Sequence, residues 1–217
     1  MDRGPIYIET VLDRFPVEPW NTASNLIFLF IIFYFWRKML RTGLRPPLLL
    51  FGLPVLFVGF IGGTVYHATR SHNLWLFMDF IPIFVLAIAA SFHFWLEIVH
   101  RKWLAALLVI LPVLLLQTLR AALPISKHLW ISMGYAGLAV SILLPAVIHC
   151  ALRRWAGARL LIMALLFFVI ALLSRITDPQ QLLPMGTHFL WHIFGGLSTF
   201  CMLEYVLRAS QPRAEVN

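Results

Sequence analysis

Seven apolar runs dominate this sequence of 217 residues, and each is long enough to cross the ~30 Å hydrocarbon core of a bilayer as a helix. Hydrophobic residues make up 61% of the chain and charged residues 12%, a balance that excludes an ordinary soluble globular domain. The pattern predicts an all-α integral membrane protein, a bundle of seven transmembrane helices. The runs cover residues 22–36, 47–66, 74–96, 103–119, 129–149, 158–174 and 184–207.

The distribution of charge predicts how the chain crosses the membrane. Residues 1–21 contain four acidic residues and no small-residue cleavage site, which indicates an ordered exterior segment and not a signal peptide. Eleven of the 17 lysines and arginines lie in the first, third and fifth loops and in residues 208–217, against six on the other side. We therefore expect an exterior N-terminus and a cytoplasmic tail, 208–217. The net charge of +8 reflects this asymmetry and attraction to anionic lipid, so we expect no nucleic-acid partner.

Ionisable side chains interrupt three of the apolar runs at similar depths. His188 and His192, in "GTHFLWHIF", are one helical turn apart on one face, roughly 6 and 12 Å below the exterior start of the seventh run. His67 stands near the outer end of the second run. Asp79 lies about a turn and a half into the third, where an unpartnered charge costs several kcal/mol. The topology thus predicts one layer of four such groups near the exterior face.

Three neutral imidazoles around a tetrahedral zinc ion, with water in the fourth position, form the ligand set of a catalytic zinc site. Asp79 suits a role beside the water, and such zinc chemistry hydrolyses amides or esters. Because the layer lies beside acyl chains, the substrate is expected to be a membrane lipid. Alone, each feature has a structural interpretation: a packing pair of histidines, an interfacial His67, or an ion pair of Asp79 with Arg70 or Arg175. Their shared depth favours a metal.

Three stretches resemble the CREST superfamily of seven-helix membrane hydrolases, and within it the alkaline ceramidases and their bacterial relatives. "VEPWNTASNLIFL" is similar to that family's entry into its first helix, through Glu18, Asn21, Ser24 and Asn25. "GGTVYHATRSHNLWLFMDFIPI" resembles the segment with the second-helix histidine and third-helix aspartate. "THFLWHIFGGLS" resembles the closing histidine pair and the small residues after it.

The resemblance implies that His67, His188 and His192 hold zinc and that Asp79 assists the water. It implies hydrolysis of the N-acyl bond of ceramide-like lipids, which would make residues 22–207 a hydrolase domain that opens toward the exterior, periplasmic or lumenal face. The family usually has a serine four residues before the second-helix histidine, where this chain has Gly63. The neighbouring Thr64 is the candidate replacement, although an ideal helix rotates it by about 100°.

The resemblance also extends to an acidic exterior stretch that binds calcium in the alkaline ceramidases. Glu9, Asp13 and Glu18 are the candidate calcium ligands here, since carboxylate oxygens suit a hard cation. A solvated acidic segment at the lipid surface is the alternative interpretation.

Other functions remain open at this point. A phospholipid esterase of the same superfamily would use the same zinc chemistry, and a receptor or lipid-binding protein would keep the zinc without hydrolysis. A bis-histidine haem protein is disfavoured because His188 and His192 share a helix face. A transporter is disfavoured because the polar layer is off-centre. Amide or ester selectivity and oligomeric state are not fixed by these patterns.

Overall fold

The computed structural model describes residues 4–122 and 127–211, apart from the side chains of residues 116–117, 119–122, 127–129 and 132. These described residues form helices and short connections, with no β-strand among them. Residues 1–3 and 212–217 of the expected end segments lie outside the described residues. The helices are α1 (Pro19–Ser24), α2 (Leu26–Thr42), α3 (Pro47–Thr69), α4 (Asn73–Val99), α5 (Lys102–Ala122), α6 (Lys127–Leu152), α7 (Ala158–Thr177), a 3₁₀ turn (Asp178–Gln180) and α8 (His188–Ala209).

Six helical segments among the described residues are long and apolar enough to cross a membrane. They are Pro19–Thr42, Pro47–Thr69, Asn73–Val99, Met133–Leu152, Ala158–Gln180 and His188–Ala209. Large apolar side chains such as Phe30, Leu111 and Leu166 are more than half exposed on the outside of the bundle, where lipid would cover them. The helical, multi-pass membrane class is therefore confirmed. The count of seven spans stays a prediction, because the apolar stretch described in α5, Lys102–Leu115, is shorter than the other six.

Two helix boundaries differ from the apolar runs for identifiable reasons. The first span continues to Thr42, beyond residue 36, because a helix continues through interfacial lysine and arginine. The last begins at His188, four residues after the start of the apolar run. Asp178 Oδ1 accepts hydrogen bonds from the backbone N–H groups of Thr187 and His188, at 2.7 and 2.9 Å, which fixes the start of α8 there. His188 is therefore the first residue of its helix.

Polar groups gather at both ends of the bundle, with the apolar core nearer one of them. Phe35, Leu53, Phe94 and Tyr205 belong to this core and are almost fully buried. At the same end, Glu204 accepts hydrogen bonds from Lys38 at 2.6 Å and Arg208 at 2.7 Å. The start of α8 lies about 24 Å away, since 16 residues separate His188 from Glu204 at about 1.5 Å each.

The other end brings together the parts of the chain that carry the predicted site. The backbone N–H of Val17 donates to Ala68 O at 2.9 Å, and that of Glu18 donates to His67 O at 3.0 Å. These bonds fix the entry to α1 against the last turn of α3. Since α3 packs on α4 and α7 on α8, the beginnings of α1, α4 and α8 meet the end of α3 in one layer.

Candidate metal centre

His67, His188 and His192 converge although α3 and α8 are distant in sequence. Their rings are 4.9 to 5.6 Å apart between centroids, and one ring nitrogen of each lies within 4.8 Å of the others. The three residues are 0%, 4% and 4% exposed. Among the histidine, cysteine and acidic side chains of the described residues, these three histidines lie close enough together to hold a metal ion. The predicted convergence of the histidines is confirmed, and the identity of the ion is not determined by it.

Glu18 fixes the orientation of His67. Its Oε2 is hydrogen-bonded to His67 Nδ1, while Oε1 accepts from Thr10 Oγ1 at 2.6 Å and Arg70 Nη1 at 2.7 Å. Burial by itself raises the pKa of Glu18, but the hydrogen bonds from His67, Thr10 and Arg70 counter it, and the pKa lies below its ordinary value. The carboxylate therefore stays ionised. The Nε2 of His67 is buried without a hydrogen-bond partner among the described residues.

Ser24 fixes the orientation of His192 in a similar way. The hydroxyl donates to Asn21 O at 3.0 Å and lies 2.7 Å from His192 Nδ1. Because its one proton is used by Asn21 O, the hydroxyl accepts a hydrogen bond from Nδ1–H. This assignment leaves the lone pair on His192 Nε2 as the one that can bind a metal. Sequence reasoning matched Ser24 to a family motif without finding this role.

His188 is held by Tyr7, a residue that no sequence pattern singles out. The ring of Tyr7 stacks on it, with centroids 3.7 Å apart and planes inclined by 16°. The Nδ1 of His188 is buried without a hydrogen-bond partner among the described residues. Burial raises the pKa of the Tyr7 phenol well above its usual value, so the hydroxyl stays protonated. No local spacing could have revealed the contact, because it joins segments at opposite ends of the chain.

Asp79 lies beside the three histidines in the space left by a glycine. Its Oδ2 is 4.0 Å from His67 Nε2, and its side chain is 24% exposed, the most open of these groups. A Cβ atom at Gly63 would lie 2.5 Å from Asp79 Oδ1 and 3.0 Å from Asn25 Oδ1. The missing side chain at Gly63 therefore makes room for the carboxylate in its present position.

The candidate hydroxyl of Thr64 is buried and has no hydrogen-bond partner among the described residues. Other helical threonines satisfy theirs on the preceding turn, as Thr69 does with Val65 O at 2.8 Å. Helix α3 runs without interruption through Gly63. The side chain of Thr64 is therefore rotated by about 100° from the helix face on which the family has its serine. Its role in catalysis stays a prediction.

The three candidate calcium ligands have different surroundings. Glu9 is buried and accepts hydrogen bonds from the backbone N–H groups of Trp20 at 2.8 Å and Asn21 at 2.6 Å, which caps α1. Burial raises the pKa of Glu9 despite these donors. Glu18 is bonded to His67 and Arg70, and Asp13 is exposed. Calcium binding stays a prediction that these contacts do not test.

No protein-family model matches the chain, and no curated protein matches its sequence. The residues themselves therefore carry the functional argument.

Proposed function

We propose that this protein is a zinc-dependent intramembrane hydrolase that cleaves the N-acyl amide bond of ceramide-like lipids. The observation that carries the proposal is the buried trio of His67, His188 and His192. Two of their nitrogens, Nε2 of His67 and Nδ1 of His188, lack hydrogen-bond partners among the described residues. A buried polar atom without a partner costs free energy, and a metal ion would satisfy these nitrogens.

The donor set suits zinc better than a hard cation. Three neutral imidazoles are the ligands of known catalytic zinc sites, which leave one position open, whereas calcium and magnesium prefer oxygen. Zinc, when bound, acts as a Lewis acid that polarises a carbonyl group and makes water a better nucleophile near neutral pH. Glu18 and Ser24 support this chemistry, because each holds the second nitrogen of a histidine ligand and so sets its orientation.

Asp79 is the proposed general base and acid. Its carboxylate is close to His67 and is the most exposed group of the site, so a substrate carbonyl can approach there. The carboxylate accepts a proton from the attacking water as the water oxygen bonds to the acyl carbon. It then gives the proton to the nitrogen as the C–N bond breaks, which releases a fatty acid and a free amine.

The substrate class follows from where the site lies. His67 is in the last turn of α3, and Asp79, His188 and His192 are in the first two turns of α4 and α8. We propose that the carbonyl of the substrate reacts at this depth, at the boundary between head groups and acyl chains. Ten of the eleven basic residues on the expected cytoplasmic side fall in connections, or within two helical turns of one, at the other end of the described bundle, among them Arg37, Arg101 and Arg153. We therefore propose that the site faces the exterior leaflet.

Zinc content and lipid hydrolysis, measured on one preparation, test the proposal. Protein purified in detergent without chelator is expected to contain about one zinc per chain and to release fatty acid from a fluorescent ceramide. His188→Ala should lose both properties. His149→Ala is the matched control, since His149 is also buried but bonds Tyr205 in the apolar core, and it should keep the zinc.

Each other result decides against part of the proposal. Absence of any bound transition metal from the wild-type protein would overturn the hydrolase mechanism. Zinc with faster hydrolysis of a phospholipid than of ceramide would identify an esterase. Zinc without turnover of either lipid would identify a receptor or lipid-binding protein.

A further inference from the structure

The segment 4–10, which we name the strap, crosses the end of the bundle that holds the histidines. Tyr7 is its central residue, and the ring covers two of the three histidines: it stacks on His188 and lies 5.7 Å from His67 between centroids. The strap is therefore in direct contact with the candidate metal ligands.

Hydrogen bonds on both sides of Tyr7 hold the strap in place. Arg70 Nη1 donates to Pro5 O at 2.6 Å, and the backbone N–H of Ile8 donates to Asp178 Oδ2 at 3.3 Å. The other oxygen of Asp178 accepts the backbone N–H groups that begin α8, including that of His188. One carboxylate thus ties the strap to the helix end that carries a histidine ligand.

The strap also packs closely against the loop before α8. Gly186 has a φ of +73°, and a Cβ atom there would lie 2.9 Å from Ile8 Cβ and 2.4 Å from Asp178 Oδ1. Only a glycine permits both this backbone conformation and this approach. The glycine at position 186 therefore allows the loop to pack against the strap.

His188 needs such support more than the other two histidines do. Asp178 holds the backbone N–H of His188 but not its ring, whereas the rings of His192 and His67 are hydrogen-bonded to Ser24 and Glu18. Among the described residues, neither ring nitrogen of His188 has a hydrogen bond that would fix the plane of the ring. Stacking on Tyr7 supplies what hydrogen bonds supply for the other two.

We propose that Tyr7 is a positioning residue of the metal site, which holds the His188 ring in its ligating orientation through stacking and not through its hydroxyl. This inference rests on the proposed metal site. It assigns the N-terminal strap to the site itself, so that residues Tyr7, Glu18 and Ser24 each orient one histidine.

Replacement of the ring, with and without the hydroxyl, tests the inference. In Tyr7→Leu, zinc loss to a chelator such as 1,10-phenanthroline should be about 10- to 100-fold faster than in the wild type, the range typical of residues that orient metal ligands. The visible absorption of the cobalt-substituted protein should also change. Tyr7→Phe keeps the ring and should match the wild type in both measurements. Tyr34→Leu, an aromatic residue that packs on Phe35 and Phe200 elsewhere, is the control and should also match it.

The outcomes separate this inference from the proposed function. Wild-type zinc retention and cobalt spectrum in Tyr7→Leu, or zinc loss in Tyr7→Phe equal to that in Tyr7→Leu, would overturn the role of stacking while the metal site stands. Wild-type protein without metal would overturn the metal site itself. If Tyr7→Leu does not fold, Tyr7→Trp and Tyr7→Met make the same comparison with and without a ring.

Discussion

Gly63 illustrates how one residue changes the chemistry available at a site. The alkaline ceramidases that the chain resembles usually have a serine at this position, and here Asp79 Oδ1 lies 2.5 Å from where a Cβ atom of residue 63 would be. Asp79 and a side chain at this position therefore compete for one space. We infer that the chain keeps a close approach of Asp79 at the expense of a hydroxyl donor on this face of α3.

Gly63→Ser is expected to slow hydrolysis, although it introduces the serine that the alkaline ceramidases usually have at this position. The new Cβ would lie 2.5 Å from Asp79 Oδ1, so the carboxylate must shift. A displacement of about 1 Å at a reacting group costs up to about 100-fold in rate, so we expect turnover to fall 10- to 100-fold with zinc content unchanged. Gly134→Ser is the control, since open space surrounds Gly134. Faster turnover in Gly63→Ser would show that the serine donor outweighs the placement of Asp79.

The sequence predicted the histidines and Asp79 better than the residues that support them. Spacing within a helix and alternation of helix direction place His67, Asp79, His188 and His192 at one depth. The contacts of Tyr7 with His188 and Ser24 with His192 join positions more than 160 residues apart. Such contacts depend on how the helices pack, which single-sequence periodicity does not encode.

At the scale of elements, the start of α8 depends on residues outside the helix. The apolar run predicts a helix from residue 184, but α8 begins at His188. Gly186 has a left-handed backbone conformation, and Asp178 caps the backbone N–H of His188. Polar capping of this kind is set by tertiary contact with the 3₁₀ turn and the strap. The helix itself was predictable from hydropathy, whereas its first residue was not.

Gly186→Ala should separate docking of the strap from the cost of an unusual backbone angle. Gly43 has a φ of +70°, and a Cβ atom there would have no neighbour within 4 Å, so Gly43→Ala reports the backbone strain alone, about 1 to 2 kcal/mol. Gly186→Ala adds a collision with Asp178 and Ile8. We expect a larger fall in melting temperature for Gly186→Ala than for Gly43→Ala, and faster zinc loss to chelator for Gly186→Ala only. Equal effects of the two substitutions on both measurements would contradict docking of the strap at Gly186.

Across the whole molecule, the polar groups at the two ends differ in character. The histidine end is covered by the strap and contains three buried histidines, whereas the other end has basic residues around the Lys38–Glu204–Arg208 cluster. The apolar core lies between them and nearer the basic end. Excess basic residues at one end predict which face of the membrane each end occupies.

Labelling of single cysteines tests this orientation. Cys150 and Cys201 are both buried, so an introduced cysteine at an exposed position can be distinguished from them. Asp13 and Arg41 are exposed at opposite ends of the first span. A membrane-impermeant maleimide should label Asp13→Cys in sealed right-side-out vesicles and label Arg41→Cys only after the vesicles are opened with detergent. The wild-type protein, treated in the same way, shows the background from the native cysteines. The reverse pattern would place the histidine site on the cytoplasmic face, which would require its lipid substrate to come from the inner leaflet.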